Sequence, residues 1–190
     1  MKSGFIASSL AGAALALGLV SGVNAAVFNK VDAAASHLKF GYTQMNVGLE
    51  GSFNKIEPKV FSFDPAAPEA AKVDIEVPMV SVDSGSEEAN AELVKPEWLA
   101  SQTHAAARFV SKSVKALGDG RYQVEGDLTI KGKTLPVSMP VTFKEEAGKG
   151  VFEGGFTFKR TDFGIGEGPW GDTSIVADDV SISFHVVAAP

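Results

Sequence analysis

Over most of the chain, apolar and polar residues alternate with a period of two, in one run after another. Successive side chains of a β-strand point to opposite faces of a sheet, so each run has one row for the interior and one for water. In the clearest run, Val73, Ile75 and Val77 share one face, and charged residues occupy the other. The runs predict eight or nine strands, at 38–42, 47–53, 61–63, 73–79, 107–114, 122–130, 137–143, 151–160 and 175–187.

Short glycine-rich turns join several of these runs. Gly118-Asp119-Gly120 and Gly148-Lys149-Gly150 each lie between two strands, and such turns favour antiparallel hairpins. The chain is also rich in Phe, Val and Ile, which suit a pleated surface better than a helix. Strands with a single apolar face bury it by closing into a barrel, which also removes unpaired edges. The pattern therefore predicts an all-β fold, an antiparallel eight-stranded barrel.

The alternation is interrupted only between residues 84 and 102. Ser86 is a good helix N-cap, and two glutamates follow it where the helix dipole favours negative charge. Pro96 can begin a second helical turn that carries Trp98 and Leu99. We therefore expect one or two short helices in this interval.

The first 25 residues have the features of a secretory signal peptide. Lys2 provides a basic start, residues 10–20 are apolar, and Val23-Asn24-Ala25 suits cleavage after Ala25. A membrane anchor is the alternative, but the apolar run is shorter than the roughly 20 residues that span a bilayer. We expect a signal peptide at 1–25, a single barrel domain at 26–190, and export to a bacterial periplasm.

Charge and cysteine content exclude several functions. Without Lys2, the remaining chain has 16 basic and 23 acidic residues, because Lys2 is the only charged residue of the first 25. A nucleic-acid partner is not expected, because such binders neutralise phosphates with clustered Lys and Arg. The chain has no cysteine, which excludes disulfides, thiolate metal sites and a cysteine nucleophile.

The predicted inward rows are almost wholly apolar and strongly aromatic. An eight-stranded barrel is either filled by its own side chains or holds one small ligand, so the rows are compatible with a packed core or a tunnel. Gly51, Gly126 and Gly154 lie in these rows, and we expect them to leave space for a long apolar molecule. The candidate lining residues are Phe40, Tyr42, Phe53, Phe61, Phe63, Phe109, Phe143, Phe156 and Phe158, with Trp98 and Trp170.

The titratable residues do not form a pattern typical of catalysis. The three histidines lack metal-ligand spacing, and the paired acidic residues are adjacent in sequence, so on a strand they point to opposite faces. The chain also lacks the G-x-S-x-G turn of serine hydrolases. We expect no enzymatic activity, no metal and no cofactor other than a bound lipid.

Arg160 is the polar residue most relevant to a ligand. It shares strand parity with Phe156 and Phe158, so it should point inward near one end of the barrel. Its guanidinium could bind an anionic head group, or it could close the barrel by pairing with a carboxylate such as Asp162. We favour the structural role.

Ordered motifs along the mature chain resemble a known family. The motifs are Ser36-His37-Leu38-Lys39-Phe40, Gly51-Ser52-Phe53, Phe61-Ser62-Phe63-Asp64-Pro65, Ser81-Val82-Asp83-Ser84-Gly85, Gly126-Asp127-Leu128-Thr129-Ile130-Lys131-Gly132 and Arg160-Thr161-Asp162-Phe163-Gly164-Ile165. In this order and spacing they resemble the YceI-like, polyisoprenoid-binding family of secreted bacterial proteins. The resemblance implies a lipocalin-like barrel whose apolar tunnel binds an isoprenoid or another long-chain amphiphile without catalysis.

The chain differs from many members of this family at two places, and one further segment resembles only some of them. Many relatives have Arg-Asp-x-His-Leu where this chain has Ala89-Asn90-Ala91-Glu92-Leu93, and Gln44 replaces a frequent histidine, so no polar role of those residues is carried over. The segment 166–172 resembles relatives found alongside membrane b-type cytochromes. The alternative function is therefore a packed-barrel interaction protein for such a redox partner, and a homodimer is also left open.

Overall fold

The structure is a computed structural model that describes residues 26–190. The expected signal peptide, at 1–25, lies outside the described residues. No helix in the described part of the chain is both long enough and apolar enough to cross a membrane.

The fold is an antiparallel all-β barrel with short helices, as the sequence predicts. Nine strands have six or more residues and two have only two residues. The strands are β1 (Lys30–Val31), β2 (His37–Gln44), β3 (Val47–Phe53), β4 (Glu57–Ser62), β5 (Lys72–Pro78), β6 (Val82–Asp83), β7 (Ala106–Gly118), β8 (Arg121–Ile130), β9 (Lys133–Glu146), β10 (Lys149–Lys159) and β11 (Asp179–Ala189). The nine longer strands match the eight or nine that the alternation predicts.

The strands form one continuous curled sheet in the order β4-β5-β7-β8-β9-β10-β11-β2-β3-β6. From β7 to β11, each strand pairs with the next one along the chain. The register keeps the inward rows together, since Phe40 pairs with Gly51 and Ile182, and Phe156 also pairs with Ile182. The apolar rows therefore face one common interior.

Two backbone connections close this sheet at its ends. At one end, β5 leads through residues 79–81 into β6, which pairs with β3. At the other end, the Phe28 amide and carbonyl bond to Phe63 just after β4, and β1 pairs with β11. Between these connections β4 has no second strand partner among the described residues. The sheet is therefore a barrel with an incomplete ladder of hydrogen bonds along one side.

The interrupted interval contains one α-helix, α1 (Glu87–Leu93). The Ser86 hydroxyl caps it, accepting a hydrogen bond from the Ala89 amide at 3.4 Å. The second expected helical turn is instead a series of hydrogen-bonded turns, in which the Trp98 amide bonds to the Lys95 carbonyl at 3.1 Å. The remaining helical elements are 3-10 turns at Pro68–Ala70, Met79–Ser81, Arg160–Phe163 and Gly168–Trp170.

The last predicted strand begins four residues too early. The structure starts β11 at Asp179, whereas the alternation starts the strand at Ile175. The Ile175 carbonyl accepts from the Met45 amide, and the Val176 carbonyl accepts from Arg160. These long-range bonds keep residues 175–178 out of the ladder.

At the three inward glycines, aromatic rings occupy the space that a side chain would fill, so the glycines do not leave open space. A Cβ at Gly154 would lie 2.6 Å from the Phe184 ring, and a Cβ at Gly126 would lie 2.6 Å from the Phe109 ring. At Gly51 a Cβ would collide with the Phe40 ring. The expectation that these glycines leave room for a ligand is therefore wrong. They fix the positions of the rings that form the wall.

We predict that Gly154→Ala destabilises the protein by about 1–3 kcal/mol, because overpacking a rigid site costs that much. The new Cβ would lie 2.5 Å from the Pro140 carbonyl oxygen, and a strand backbone cannot move aside easily. Gly48→Ala is the control, since a Cβ there meets no atom within 4 Å. Thermal unfolding should give a lower Tm for Gly154→Ala only. Equal Tm values for the two variants would contradict this account of the glycines.

Candidate ligand-binding cavity

The interior of the barrel contains a cavity of about 590 Å³ that is partly open to solvent. This volume lies within the usual range for small-molecule sites. Ten of the eleven candidate residues border it. They are Phe40, Tyr42, Phe53, Phe61, Phe63, Phe109, Phe156 and Phe158, with Trp98 and Trp170.

The interior side chains show that the barrel is not filled. Phe40, Phe109 and Phe156 face inward, yet each is only half-buried. Their remaining accessible surface borders the cavity, whereas a filled barrel would cover it. Two compact clusters of buried side chains lie along the cavity, one around Phe63 and one around Leu128. The tunnel interpretation of the inward rows is therefore the better one.

Phe143 is the exception among the predicted lining residues. Its ring packs against Phe28, Phe63 and Phe152, at centroid distances of 5.4, 4.9 and 5.0 Å, and it does not border the cavity. We call these four residues the aromatic plug. Phe28 is completely buried and comes from the segment before β1, which no strand pattern places there. The prediction that Phe143 lines the cavity was wrong, because Phe63 and Phe152, the two plug residues that border the cavity, pack against its ring.

Trp98 and Trp170 border the other end of the cavity. Their ring centroids are 5.4 Å apart, although they come from separate loops. The Gly166 and Glu167 amides both bond to the Glu97 carbonyl, at 2.7 and 2.9 Å, which joins the two loops. Lys131 adds bonds to the Pro96 carbonyl, the Gly164 carbonyl and Glu167.

Arg160 holds this end together. Its side chain is 1% exposed, at the end of β10. All five of its N–H groups donate to backbone carbonyls, those of Ala177 (3.1 Å), Ile165 (2.8 Å), Gly166 (3.0 Å), Trp170 (2.9 Å) and Val176 (2.7 Å). Burial lowers the pKa of Arg160, and the nearby charge of Asp178 opposes that shift.

The structure corrects two details of the sequence-based view of Arg160. It has a structural role, but its partners are carbonyls of the 160–178 connection rather than Asp162, which is exposed. Although Arg160 borders the cavity, it has no remaining N–H for an anionic head group. The glycine-rich segment at 164–168 supplies two of its acceptors and lies against the barrel end.

Several lining residues come from α1 and its N-cap residue, which the strand pattern could not place. Ser86, Glu88, Ala89, Glu92 and Leu93 border the cavity. The four-residue spacing of Ala89 and Leu93 on one helix face was the available signal. Tyr122 and Phe152 also line it, and burial raises the pKa of Tyr122. Phe152 shares strand parity with Phe156, so the sequence contained that information.

We predict that Arg160→Met lowers the free energy of unfolding by about 3 kcal/mol or more, because it leaves five carbonyls without their donor. Arg121→Met is the matched control, since the Arg121 side chain is 61% exposed on a hairpin. Chemical denaturation should show a large loss for Arg160→Met and almost none for Arg121→Met. Neutral and anionic ligands should weaken alike. A stable Arg160→Met protein that loses only anionic ligands would contradict the structural role.

Comparison with known sequences shows the same fold and family. The family model described as YceI-like domain matches residues 30–188. A protein of Ectopseudomonas mendocina, described as UPF0312 protein, is 35% identical over 164 residues, covering 80% of this chain and 85% of the relative. A Pseudomonas putida protein of the same description is 34% identical over 183 residues, covering 90% and 94% of the two chains.

Solved structures agree with this similarity. BcnA of Burkholderia cenocepacia superposes with a TM-score of 0.81 at 38% identity, covering 84% of this chain and all of that one. A polyisoprenoid binding domain from Saccharophagus degradans, implicated in plant cell wall breakdown, has a TM-score of 0.67 at 15% identity, covering 87% of this chain and 100% of that one. At this lower identity the likeness concerns the fold alone. With the family model matched along nearly all of the described residues, the chain belongs to the YceI-like family.

Proposed function

We propose that the protein is a non-enzymatic binding protein for a polyisoprenoid or a similar long-chain amphiphile. The observation that carries this proposal is the apolar cavity of about 590 Å³ between the aromatic plug and the two tryptophans. The polyisoprenoid-binding description of a protein with the same fold supports the same class of ligand.

Hydrophobic transfer is sufficient to drive such binding. Burying each methylene contributes about 0.8 kcal/mol, so a prenyl chain gains several kcal/mol even after the cost of ordering it. Aromatic rings packed against glycines already hold the wall in place. Little of the hydrophobic binding free energy is therefore needed to order the site. Affinity therefore depends on the shape and length of the chain.

The proposed location is the bacterial periplasm. Its support is the basic start, apolar stretch and small-residue cleavage site of residues 1–25. There the protein would hold a water-insoluble molecule away from the aqueous phase. The amino-terminal sequence of protein exported from bacterial cells tests this, with Ala26 as the expected first residue.

The alternative function has weaker support. A packed-barrel interaction protein requires a filled interior, and the cavity argues against that premise. A membrane b-type cytochrome partner and a homodimer are separate proposals, which cross-linking in membranes and sedimentation would test. Trp170→Ala would not separate partner binding from lipid uptake, because Trp170 borders the cavity and contacts Trp98.

We predict that protein purified from bacterial cells contains a long-chain lipid that solvent extraction and mass spectrometry detect. Delipidated protein should take up prenyl chains added from detergent or vesicles. The absence of both bound lipid and uptake would refute the proposed function.

Phe156→Trp should reduce uptake of the longest prenyl chains first, because the larger ring occupies space inside the cavity. Thr157→Trp is the control, since Thr157 is exposed on the opposite face of β10. Competition between chains of different length, followed by mass spectrometry, measures the effect. Equal length profiles for the two variants would contradict binding along the Phe-lined wall.

A further inference from the structure

Two histidines from opposite ends of the barrel domain face each other across neighbouring strands. His37 begins β2, His185 lies in β11, and the two residues are directly paired in the sheet. Their ring centroids are 6.0 Å apart, and the angle between the ring planes is 22°. The spacing of histidines along the sequence could not show this pair, because only the order of the strands brings the two residues together.

A carboxylate orients one of the two rings. Glu153 of β10 is paired with His185 on the side opposite His37, and its Oε1 lies 3.1 Å from His185 Nδ1. The ionised carboxylate accepts a hydrogen bond from the Nδ1–H group, which leaves Nε2 with a free lone pair. Histidines that bind a metal ion usually donate their other ring N–H to a carboxylate or a carbonyl in this way. The His185 ring is therefore already arranged as a metal ligand.

Both rings are accessible to an ion from solvent. His37 is exposed, and the side chains of His185 and Glu153 are 37% and 53% exposed. A tetrahedral zinc ion that binds one nitrogen of each ring, at about 2.0–2.1 Å, would place the two ring centroids about 5 Å apart. The rings therefore need to approach each other by only about 1 Å to share such an ion. Small rotations of the two side chains allow this approach, because both have space on their solvent side.

The chemistry of the pair selects a transition-metal ion. Imidazole nitrogen suits Zn²⁺ and its neighbours in the periodic table, whereas Mg²⁺ and Ca²⁺ prefer oxygen ligands. The Glu153 carboxylate also offsets part of the ion's positive charge. Lys39, two residues after His37 on the same face of β2, is exposed, and its flexible side chain can turn its ammonium away. Residues 26–190 contain no group of three or more side chains that could hold a metal ion, so water must complete the coordination.

We propose that His37 and His185 form a zinc-binding site across strands β2 and β11, and that Glu153 positions the His185 ring. The ion takes one ring nitrogen from each histidine and keeps water molecules in its remaining positions. This inference does not rest on the proposed lipid-binding function. Bound zinc joins two neighbouring strands of the barrel, and it stabilises the folded protein because the unfolded chain does not hold the two histidines together.

Nuclear magnetic resonance can identify the ligands directly. The chain has three histidines, so ¹⁵N-labelled protein without an affinity tag gives three sets of imidazole signals. The variants His37→Asn, His104→Asn and His185→Asn assign these signals. Zn²⁺ should shift the signals of His37 and His185 and leave those of His104 unchanged. Mg²⁺ at the same concentration should shift none of them, because it does not favour imidazole.

Calorimetric titration with Zn²⁺ gives an independent test. His37→Asn and His185→Asn should each weaken zinc binding by about tenfold or more, because each removes one of two protein ligands. Glu153→Gln should weaken it by about tenfold, the usual effect of losing a carboxylate behind a metal-bound histidine. His104→Asn is the matched control and should bind zinc as the wild-type protein does. Zinc should raise the Tm of the wild-type and His104→Asn proteins, and the Tm of all variants without zinc should be unchanged.

Several results would overturn the zinc site. Unchanged zinc affinity in His37→Asn or His185→Asn would do so, as would zinc-dependent shifts confined to His104. Absence of binding at millimolar Zn²⁺ would also refute it. Unchanged affinity in Glu153→Gln would refute the positioning role of that carboxylate. Lipid uptake is measured without zinc, so none of these results would alter the test of the lipid-binding function.

Discussion

The guanidinium of Arg160 is the interaction on which the ligand-binding end of the barrel depends. Between β10 and β11 the chain leaves the sheet, and its carbonyls would be unpaired without a donor within reach. Arg160 supplies all five of its N–H groups to carbonyls of this connection. No carboxylate of the described residues contacts this buried charge, so the carbonyl dipoles, helped by the nearby charge of Asp178, stabilise it. In consequence Trp170 is held against Trp98, and the cavity has a defined end.

The cavity persists because both the backbone and the side chains of its walls are held in fixed positions. The strand ladders hold the backbone, and the close contacts of rings on Gly51, Gly126 and Gly154 hold the side chains. At the far end, the aromatic plug has tilted and edge-to-face ring contacts, which favour a fixed arrangement. A collapse that filled the interior would have to break these contacts, so the fold retains the space.

The lining was largely predictable because strand parity is a local property. Phe156 and Phe158 alternate with polar residues, and the same count places Phe40 and Tyr42 on the inner face of β2. The predictions of lining residues failed where lining the cavity depends on a residue's position along the barrel axis. Phe143 has inward parity but packs within the aromatic plug and does not border the cavity. The α1 residues were missed because a short helix between strands can lie across the barrel or away from it, and parity does not distinguish these cases.

The sequence by itself determined the all-β class, the faces of the strands, the capped helix and the family. Each of these depends on residues close together in the chain or on ordered motifs, so no knowledge of distant contacts was needed. Only the tertiary structure decided that the interior is open and that Arg160 bonds to backbone carbonyls. The physical reason is that cavity volume and hydrogen-bond satisfaction depend on segments far apart in sequence. Their relative positions follow from strand order and loop path, which local periodicity does not encode.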